Sequence, residues 1–483
     1  MAMPKPVRRP LVMAAVMSAM FMIAIEATIV STAMPHIAAQ LGDLRLYSWV
    51  FASFLLAQTA TTMVFGKLAD LFGRKPVLLV GVAIFLVGSL LCGFALTMPV
   101  LIAFRLIQGI GAGAIQPIAL TIVGDLYPGH ERARVQGYLA SVWGVSSVLG
   151  PLAGGLITQH LGWAWVFWIN IPVGIVAAAL FVLYLHEQVA SVVRRVDVPG
   201  AVLFSVAVAA LMAALTELGG ATDAVLLAGS VFLVATVLFV LQERRAADPM
   251  VAFELWVRRP IASANAATLL AGMALIGLTA FLPMYVQGVL GRSPLVAGFT
   301  LTAMSFGWPI GATIAARHAF RRMGLRGTLL LGGALLPLGA AAMLLLRPGL
   351  GPAIAGLGSL VMGLGMGFLS TAAIVLIQST VDWAERGAAT ASNVFARNLG
   401  STFGATVLGG VLNTSLAHRA GGAVGFEQIR RLLDQPGAVA DAAVRAALGH
   451  SLHLTFWAMF LITVIAFAAA IFVPRVTLKA PAE

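Results

Sequence analysis

Two charged side chains inside apolar runs are the residues of this sequence best able to do chemistry. Glu26 lies well inside the first apolar run and Arg105 inside the fourth. An ionisable group at such a depth in a bilayer costs roughly 2.5–3.5 kcal/mol on insertion scales. Burial favours the neutral carboxyl and a nearby guanidinium favours the carboxylate, so movement between the two helices would drive proton uptake and release. The alternative is a static ion pair that fixes packing.

The two charges are expected at the same depth. Glu26 precedes the outer end of its run, near Ala33, by about seven residues, or ~10 Å of helix. Arg105 follows the outer start of its run, near Pro99, by about six residues, or ~9 Å. The spacing therefore predicts that the carboxyl group and the guanidinium can meet.

Enzyme chemistry is not indicated by the sequence. The 8 histidines fall mostly at loops and at the ends of apolar runs. We find no cluster of metal ligands, no nucleophile motif and no phosphate-binding loop. The single cysteine, Cys92, lies in an apolar run and excludes an internal disulfide. The sequence predicts neither an enzyme nor a bound metal or cofactor.

Composition places the chain in a lipid bilayer. Hydrophobic residues make up 60% and charged residues 10% of the 483 residues, whereas soluble domains carry roughly 25% charged residues. The net charge of +12 is spread between apolar runs and forms no basic stripe with interleaved aromatics, which argues against a nucleic-acid partner.

Apolar segments of helix-spanning length predict an all-α integral membrane protein with about fourteen transmembrane helices. They cover residues 11–33, 47–69, 77–97, 99–124, 135–159, 165–185, 199–218, 224–243, 261–289, 296–318, 327–346, 352–379, 388–415 and 451–474. With the N-terminus inside, cytoplasmic segments hold roughly three times as many Lys and Arg residues as outer ones. We therefore expect both termini in the cytoplasm, and an uncleaved first helix rather than a signal peptide.

One loop, 416–450, is long enough to form structure of its own. Phe426, Ile429 and Leu433 recur at helical spacing, and Pro436-Gly437 marks a turn. We expect a helical hairpin on the outer face. Its role is either a cap or spacer, or a gating or partner-binding element.

A short charged loop between the second and third spans carries the first family signature. It reads Gly66-Lys-Leu-Ala-Asp70-Leu-Phe-Gly73-Arg74-Lys75, with glycine where two helices crowd together. This string resembles the loop signature of the major facilitator superfamily. A degraded echo without an aspartate runs from Gly311 to Gly324, where a second six-helix repeat would place it.

Further motifs in the first, fourth and fifth spans resemble the same family. The fourth span contains Arg105-Leu-Ile-Gln108-Gly109, and the first contains the stretch from Glu26 to Pro35 that resembles fourteen-helix drug:H+ antiporters. In those relatives the acid is usually aspartate, so the longer Glu26 is a departure. The fifth span carries residues that resemble the signature of exporters: Gly144, Gly150, Pro151, Gly154 and Gly155.

The resemblance implies a fold of two six-helix bundles with two inserted helices. The bundles would comprise 1–190 and 261–483, with the inserted pair in 191–260, and they would rock about a central cavity. It also implies proton coupling by Glu26 and Arg105, and a cytoplasmic charge lock formed by Asp70, Arg74 and Asp125. A solvated cluster of surface charges is the alternative for that lock.

The fifth span presents one face of small residues. Ser146, Gly150 and Gly154 recur at four-residue spacing, and Pro151 bends the helix beside them. Spacing alone allows either ordinary helix packing or a sliding interface. The resemblance favours the moving interface.

Polar and aromatic residues deep in the spans are candidates for the substrate cavity, although such residues also hold membrane helices together. They are Gln108, Gln116, Asn265, Tyr285, Gln287, Trp308, Gln378 and Asn393. Since the tenth span contains no acid, we expect neutral or monovalent cationic substrates. The resulting hypothesis is a monomeric, proton-coupled multidrug exporter of the bacterial cytoplasmic membrane. The alternative is an exporter of an endogenous lipid, siderophore or metabolite.

Overall fold

Every regular element in the described part of the chain is helical. The computed structural model describes residues 8–41, 46–127, 129–187, 197–217, 222–246, 253–292, 294–347, 351–420 and 442–476. The helices are α1 (Arg9–Leu41), α2 (Tyr47–Phe72), α3 (Arg74–Cys92), α4 (Met98–Leu126), α5 (Gly129–His160), α6 (Trp165–Trp168), α7 (Asn170–Tyr184), α8 (Val198–Thr216), α9 (Thr222–Glu243), α10 (Phe253–Val257), α11 (Arg259–Met284), α12 (Pro294–Ile314), α13 (Phe320–Leu344), α14 (Ala353–Ser379), α15 (Arg386–Ala420) and α16 (Ala442–Ile471).

Long apolar runs become helices because a helix satisfies its own backbone hydrogen bonds where water is excluded. Local signals set several helix starts. Proline stands in the first turn of α4 and of α8, where its missing N–H costs nothing. Asp197 caps α8 by accepting a hydrogen bond of 3.0 Å from the Gly200 N–H. Tyr285–Val289 and Ala315–Ala319 form π-helical turns that follow α11 and α12.

Twelve candidate membrane spans are present in the described residues, so the expected count of fourteen is not confirmed. Two expected spans, 296–318 and 327–346, fall within one continuous stretch, Val296–Leu344. Gly324, with φ 68° and ψ −178°, breaks that stretch into separate segments. The expected span 388–415 forms α15, but its Asn, Ser, Thr and Gly residues make it too polar to count by composition.

The first compact unit includes the described residues of Met1–Arg258 together with Ile377–Phe395. Within it α1 packs against α4, α5 and α7, and α2 packs against α4 and α8. Helices α8 and α9 pack against each other. One apolar core of this unit contains Ile25, Ile29, Cys92 and Phe167. This core lies at the level of Glu26 along α1.

The second compact unit includes the described residues of Arg259–Leu376 and Ala396–Thr477. Helix α16 packs against α11 and α13, and their core contains Tyr285 and Phe456, whose ring centroids are 5.7 Å apart. The backbone of α14 approaches α12 at Gly363, beside Met304. The predicted domain boundaries near residues 190 and 260 stay a prediction.

The expected hairpin in the loop 416–450 lies largely outside the described residues. Helix α15 continues to Ala420, and α16 already begins at Ala442. The residues that suggested the hairpin, Phe426, Ile429 and Leu433, are not described.

Candidate functional site: a buried ion pair and a charge cluster around Arg74

Glu26 of α1 and Arg105 of α4 form an ion pair in the interior of the first unit. Glu26 is 0% and Arg105 2% exposed, and the Arg105 Nη1 donates to Glu26 Oε1. A pair removed from water is held only when its remaining hydrogen-bonding groups are also satisfied. The neighbours of both side chains therefore decide what the pair can do.

Arg105 is fixed by contacts on every side. Its Nε donates to the Val50 carbonyl at 3.1 Å, and its Nη1 also donates to Gln108 Oε1 at 2.7 Å. The guanidinium lies 4.3 Å from the centre of the Phe54 ring, a distance typical of cation–π attraction. Helices α2 and α4 thus hold the positive charge in place.

Glu26 has a donor on each carboxylate oxygen. While Arg105 contacts Oε1, the Asn170 Nδ2 at the start of α7 donates to Oε2. Gln108 extends the network, because its Nε2 donates to Ser89 Oγ of α3 at 2.8 Å. Side chains from α3, α4 and α7 therefore form one hydrogen-bond network around the carboxyl group of α1.

The small-residue face of α5 packs against α1 at Thr28, two residues after Glu26. Thr28 Oγ1 donates to the Ser146 carbonyl at 3.0 Å. A Cβ added at Gly150 would collide with the Thr28 side chain. Gly144 and Gly154 are buried and Gly155 is partly buried, while the side chain of Pro151 lies outside the described residues.

A second group of charges lies where α2 ends, α3 begins and α4 ends. Arg74 Nη2 pairs with Asp70 Oδ1 at 2.8 Å, and its Nε pairs with Asp125 Oδ2 at 3.1 Å. The Arg74 side chain is only 1% exposed. The three residues of the expected lock are therefore brought together.

Residues between α14 and α15 complete this group. Asp70 accepts hydrogen bonds from the Gly387 N–H at 2.9 Å and the Ala388 N–H at 2.7 Å, so a carboxylate of α2 caps the N-terminus of α15. Arg386 Nη1 pairs with Asp125 Oδ1 at 2.5 Å. Arg74 donates to the Trp383 carbonyl at 2.7 Å, and its guanidinium lies 4.0 Å from the centre of that ring.

Glycines and Lys75 of the loop motif set the geometry of this corner. Gly73 has φ 94°, which side chains strongly disfavour, and it joins α2 to α3. At Gly66 a Cβ would meet the Gly387 carbonyl oxygen at 3.0 Å. Lys75 anchors α3 because its N–H donates to Glu187 Oε2 at 3.0 Å and its Nζ to the Val182 carbonyl at 2.9 Å.

The candidate cavity residues divide between the two units. Gln108, Gln116, Gln378 and Asn393 are buried in the first unit. Asn265, Tyr285, Gln287 and Trp308 belong to the second, where Trp308 Nε1 donates to Ser370 Oγ at 3.2 Å.

Gln378 joins α4 to the segment where α14 ends and α15 begins. Its Nε2 donates to the Leu120 carbonyl and to Thr390 Oγ1, both at 3.1 Å. The side chain lies directly against Gly124 of α4. Since Gln378 is fully buried, it serves here as a link between α4 and the α14–α15 segment.

Sequence reasoning missed several members of both sites. Asn170 and Ser89 belong to the ion-pair network, and Trp383 and Arg386 to the charge group around Arg74. A polar residue in an apolar run was a usable signal for Asn170 and Ser89. No sequence pattern links Trp383 or Arg386 to residues some three hundred positions away.

The fold and the buried charges together define a polytopic membrane transporter. The chain belongs to the Major Facilitator Superfamily, whose family model matches residues 16–405. Members of this superfamily move solutes across membranes, and the chain is a transporter rather than an enzyme.

Relatives and a solved structure agree with this membership. The chain is 37% identical over 395 residues to multidrug resistance protein 3 of Bacillus subtilis, covering 81% of this chain and 77% of the relative. It is 34% identical to multidrug transporter protein MdtP of the same organism, covering 85% and 76%. The human organic anion transporter MFSD10 shares the fold, with a TM-score of 0.66 and 16% identity over 94% of this chain and 99% of that one.

Proposed function

We propose that this chain is a proton-coupled antiporter that exports small lipophilic or monovalent cationic compounds by alternating access. The observation that carries the proposal is the Glu26–Arg105 pair, a carboxyl group with no exposure to solvent beside a fixed positive charge. Ionisable groups at such depth are costly in a membrane and are usually functional. The names of the two Bacillus relatives support multidrug export as the task.

Coupling follows from competition between two environments of Glu26. Contact with the Arg105 guanidinium favours the carboxylate, and separation from it inside an apolar core favours the neutral acid. Movement of α1 relative to α4 would therefore bind a proton on one side of the membrane and release it on the other. A static structural pair remains the competing explanation.

The charge cluster around Arg74 is proposed to lock the cytoplasmic side in the outward-facing state. Its support is burial, because the side chains of Asp70 and Arg74 are 2% and 1% exposed, unlike a solvated surface cluster. Opening would have to break the pairs to Asp125 and uncap α15. Such a lock stabilises the closed state until the binding of substrate or of a proton compensates for the loss of these contacts.

The finer architecture is proposed as fourteen spans in a monomer of the bacterial cytoplasmic membrane with both termini inside. Dividing the stretch Val296–Leu344 at Gly324, inside α13, and counting α15 would give the two spans that composition alone does not count. The two bundles would be 1–190 and 261–483, with 191–260 contributing the inserted helices. The eight candidate cavity residues would then face the substrate.

Substrate charge is proposed to be neutral or singly positive. Glu26 is the single carboxylate deep in a described span of the first unit, and the described membrane helices of the second unit contain no Asp or Glu. Two positive charges would find too few counter-charges. An exporter of an endogenous lipid, siderophore or metabolite is the alternative, and a substrate panel separates the two.

Transport in proteoliposomes with an imposed pH gradient tests the proposal. Parent protein and Glu26→Gln are compared across lipophilic cations and neutral compounds, with Glu254→Gln at an exposed acid as the matched control. We expect Glu26→Gln to bind substrate but to lose gradient-driven uptake, while the control transports normally. If Glu26→Gln pumps as steeply as the parent, the coupling proposal is wrong.

A further inference from the structure

Asn170 touches the buried ion pair with one end of its amide and leaves the other end unused. The residue is 1% exposed, and its Nδ2 donates to Glu26 Oε2. Its Oδ1 is buried and has no hydrogen-bond partner among the described residues. An unpaired buried carbonyl oxygen is unfavourable, so its presence beside a carboxyl group calls for an explanation.

We propose that Asn170 is a positioning residue that serves both protonation states of Glu26. In the ionised state the amide N–H donates to the carboxylate, as observed. When Glu26 takes up a proton, a half-turn of the amide brings Oδ1 to accept the new carboxyl O–H. This inference rests on the proposed function, because it assumes that Glu26 is the group that exchanges the proton.

No other neighbour that the described residues give Glu26 can make this exchange. The Arg105 guanidinium has donors only, so it cannot accept a proton from the neutral acid. In the Gln108 amide, Oε1 already accepts from Arg105 and from the Cys92 thiol, and Nε2 donates to Ser89. Arg105 is the charged group that acts on Glu26 in the described residues, and the Cys92 thiol of α3 is a titratable group within reach of both charges. Asn170 is thus the neighbour with a spare acceptor.

The surroundings hold the Asn170 backbone still while its amide stays rotatable. Asn170 begins α7, directly after the short helix α6. Trp168 of α6 donates to the Leu90 carbonyl at 3.3 Å and packs on Phe94 with ring centroids 5.3 Å apart. These contacts fix α6 to α3. The terminal torsion of an asparagine is broad and roughly two-fold, so the exchange needs no backbone movement.

Asn170→Leu tests the inference, with Asn398→Leu as the matched control at another asparagine whose Nδ2 is buried without a partner. In proteoliposomes with ethidium as substrate, we measure substrate-stimulated proton release against pH. Asn170→Leu removes a hydrogen bond to the ionised carboxylate and a weaker, neutral one to the protonated acid. Because the bond to the charged form is stronger, the midpoint of proton release should move up by about one pH unit. The control should keep the parent midpoint.

Infrared difference spectra report the second half of the exchange. The carboxyl band of protonated Glu26, assigned by its loss in Glu26→Gln, should move to higher wavenumber in Asn170→Leu because it no longer donates to an amide. In the parent labelled with ¹³C in asparagine side chains, protonation should shift one amide carbonyl band to lower wavenumber. This measurement needs no variant and remains decisive if Asn170→Leu fails to fold.

The outcomes separate the two proposals. An unchanged midpoint and unchanged bands, together with loss of driven transport in Glu26→Gln, would overturn the role of Asn170 and leave the antiport proposal standing. Driven transport that survives Glu26→Gln would overturn the antiport proposal itself.

Discussion

The two compact units both pack their helices closely at glycines, but they differ in the charges that they bury. In the first, Glu26, Arg105, Asp70 and Arg74 are all buried and all paired. The described membrane helices of the second contain no acidic residue, so no such pair forms within them. Because buried pairs are poor stabilisers compared with apolar packing, their concentration in one unit suggests that the charge-dependent steps occur there.

A turn that occurs once in each unit sharpens the contrast. Gly73 joins α2 to α3 with φ 94°, and Gly324 lies at the corresponding place after α12 with φ 68°. Around Gly73 the charges are buried, whereas Arg321 and Arg322 beside Gly324 are exposed. A turn with a glycine of positive φ therefore does not require the buried charge cluster that lies beside Gly73.

Removing Arg105 should have the largest effect. Arg105→Leu leaves Glu26 buried without its positive partner, and breaking such a pair costs about 3–5 kcal/mol. Thermal and denaturant unfolding of the purified variant in detergent would measure the loss. The double variant Arg105→Leu/Glu26→Gln should recover most of it, because the orphaned charge is gone.

Arg397→Leu in the second unit is the matched control for this prediction. The described residues of that unit offer Arg397 no carboxylate, so the variant should change stability by less than ~1 kcal/mol. An equal loss in both variants would show that pairing with Glu26 is not what stabilises Arg105.

Asp70→Asn should have the next largest effect. It removes the charge that pairs with Arg74 and accepts two N–H groups of α15, and hydrogen bonds to charged groups contribute about 1.5–3 kcal/mol. We expect about 2 kcal/mol less stability and a clear fall in transport rate. Arg321→Gln, at the exposed second turn, should change both by little. If the two variants behave alike, the buried cluster has no special role.

Gly150→Ala should disturb the contact between α1 and α5. The added methyl group would overlap Thr28 and strain its 3.0 Å hydrogen bond to the Ser146 carbonyl, and overpacking costs about 1–3 kcal/mol. Unfolding and pH-driven transport should both report the change. On the same helix, Gly155 has no atom within 4 Å of an added Cβ, so Gly155→Ala should be neutral or slightly stabilising. Equal destabilisation by both would argue against close packing at Gly150.

Prediction from the sequence was most accurate where the geometry depends on residues within one helix. Counting residues from the ends of two helices sufficed to place Glu26 and Arg105 at one level, since the helical rise is constant. The role of Asn170 was not predicted because its position depends on the break between α6 and α7. The apolar run in the sequence continues through that break and gives no sign of it. Arg386 escaped because its contact with Asp125 joins residues 261 positions apart. The predicted count of fourteen spans is not confirmed, because α15 is too polar to count by composition and Gly324 interrupts a stretch that counts as one span.

The smallest effect should come from the two turn glycines. Gly73→Ala and Gly324→Ala each force a side chain into a backbone region that is essentially restricted to glycine, at a cost of about 1 kcal/mol. An added Cβ at Gly324 meets nothing within 4 Å, so its cost arises from the backbone alone. Transport should distinguish the two variants: Gly73→Ala also displaces the adjacent Arg74 and should slow transport, while Gly324→Ala should lose stability only. Equal slowing by both would mean that the turn itself, rather than the charge cluster beside Gly73, limits the transport rate.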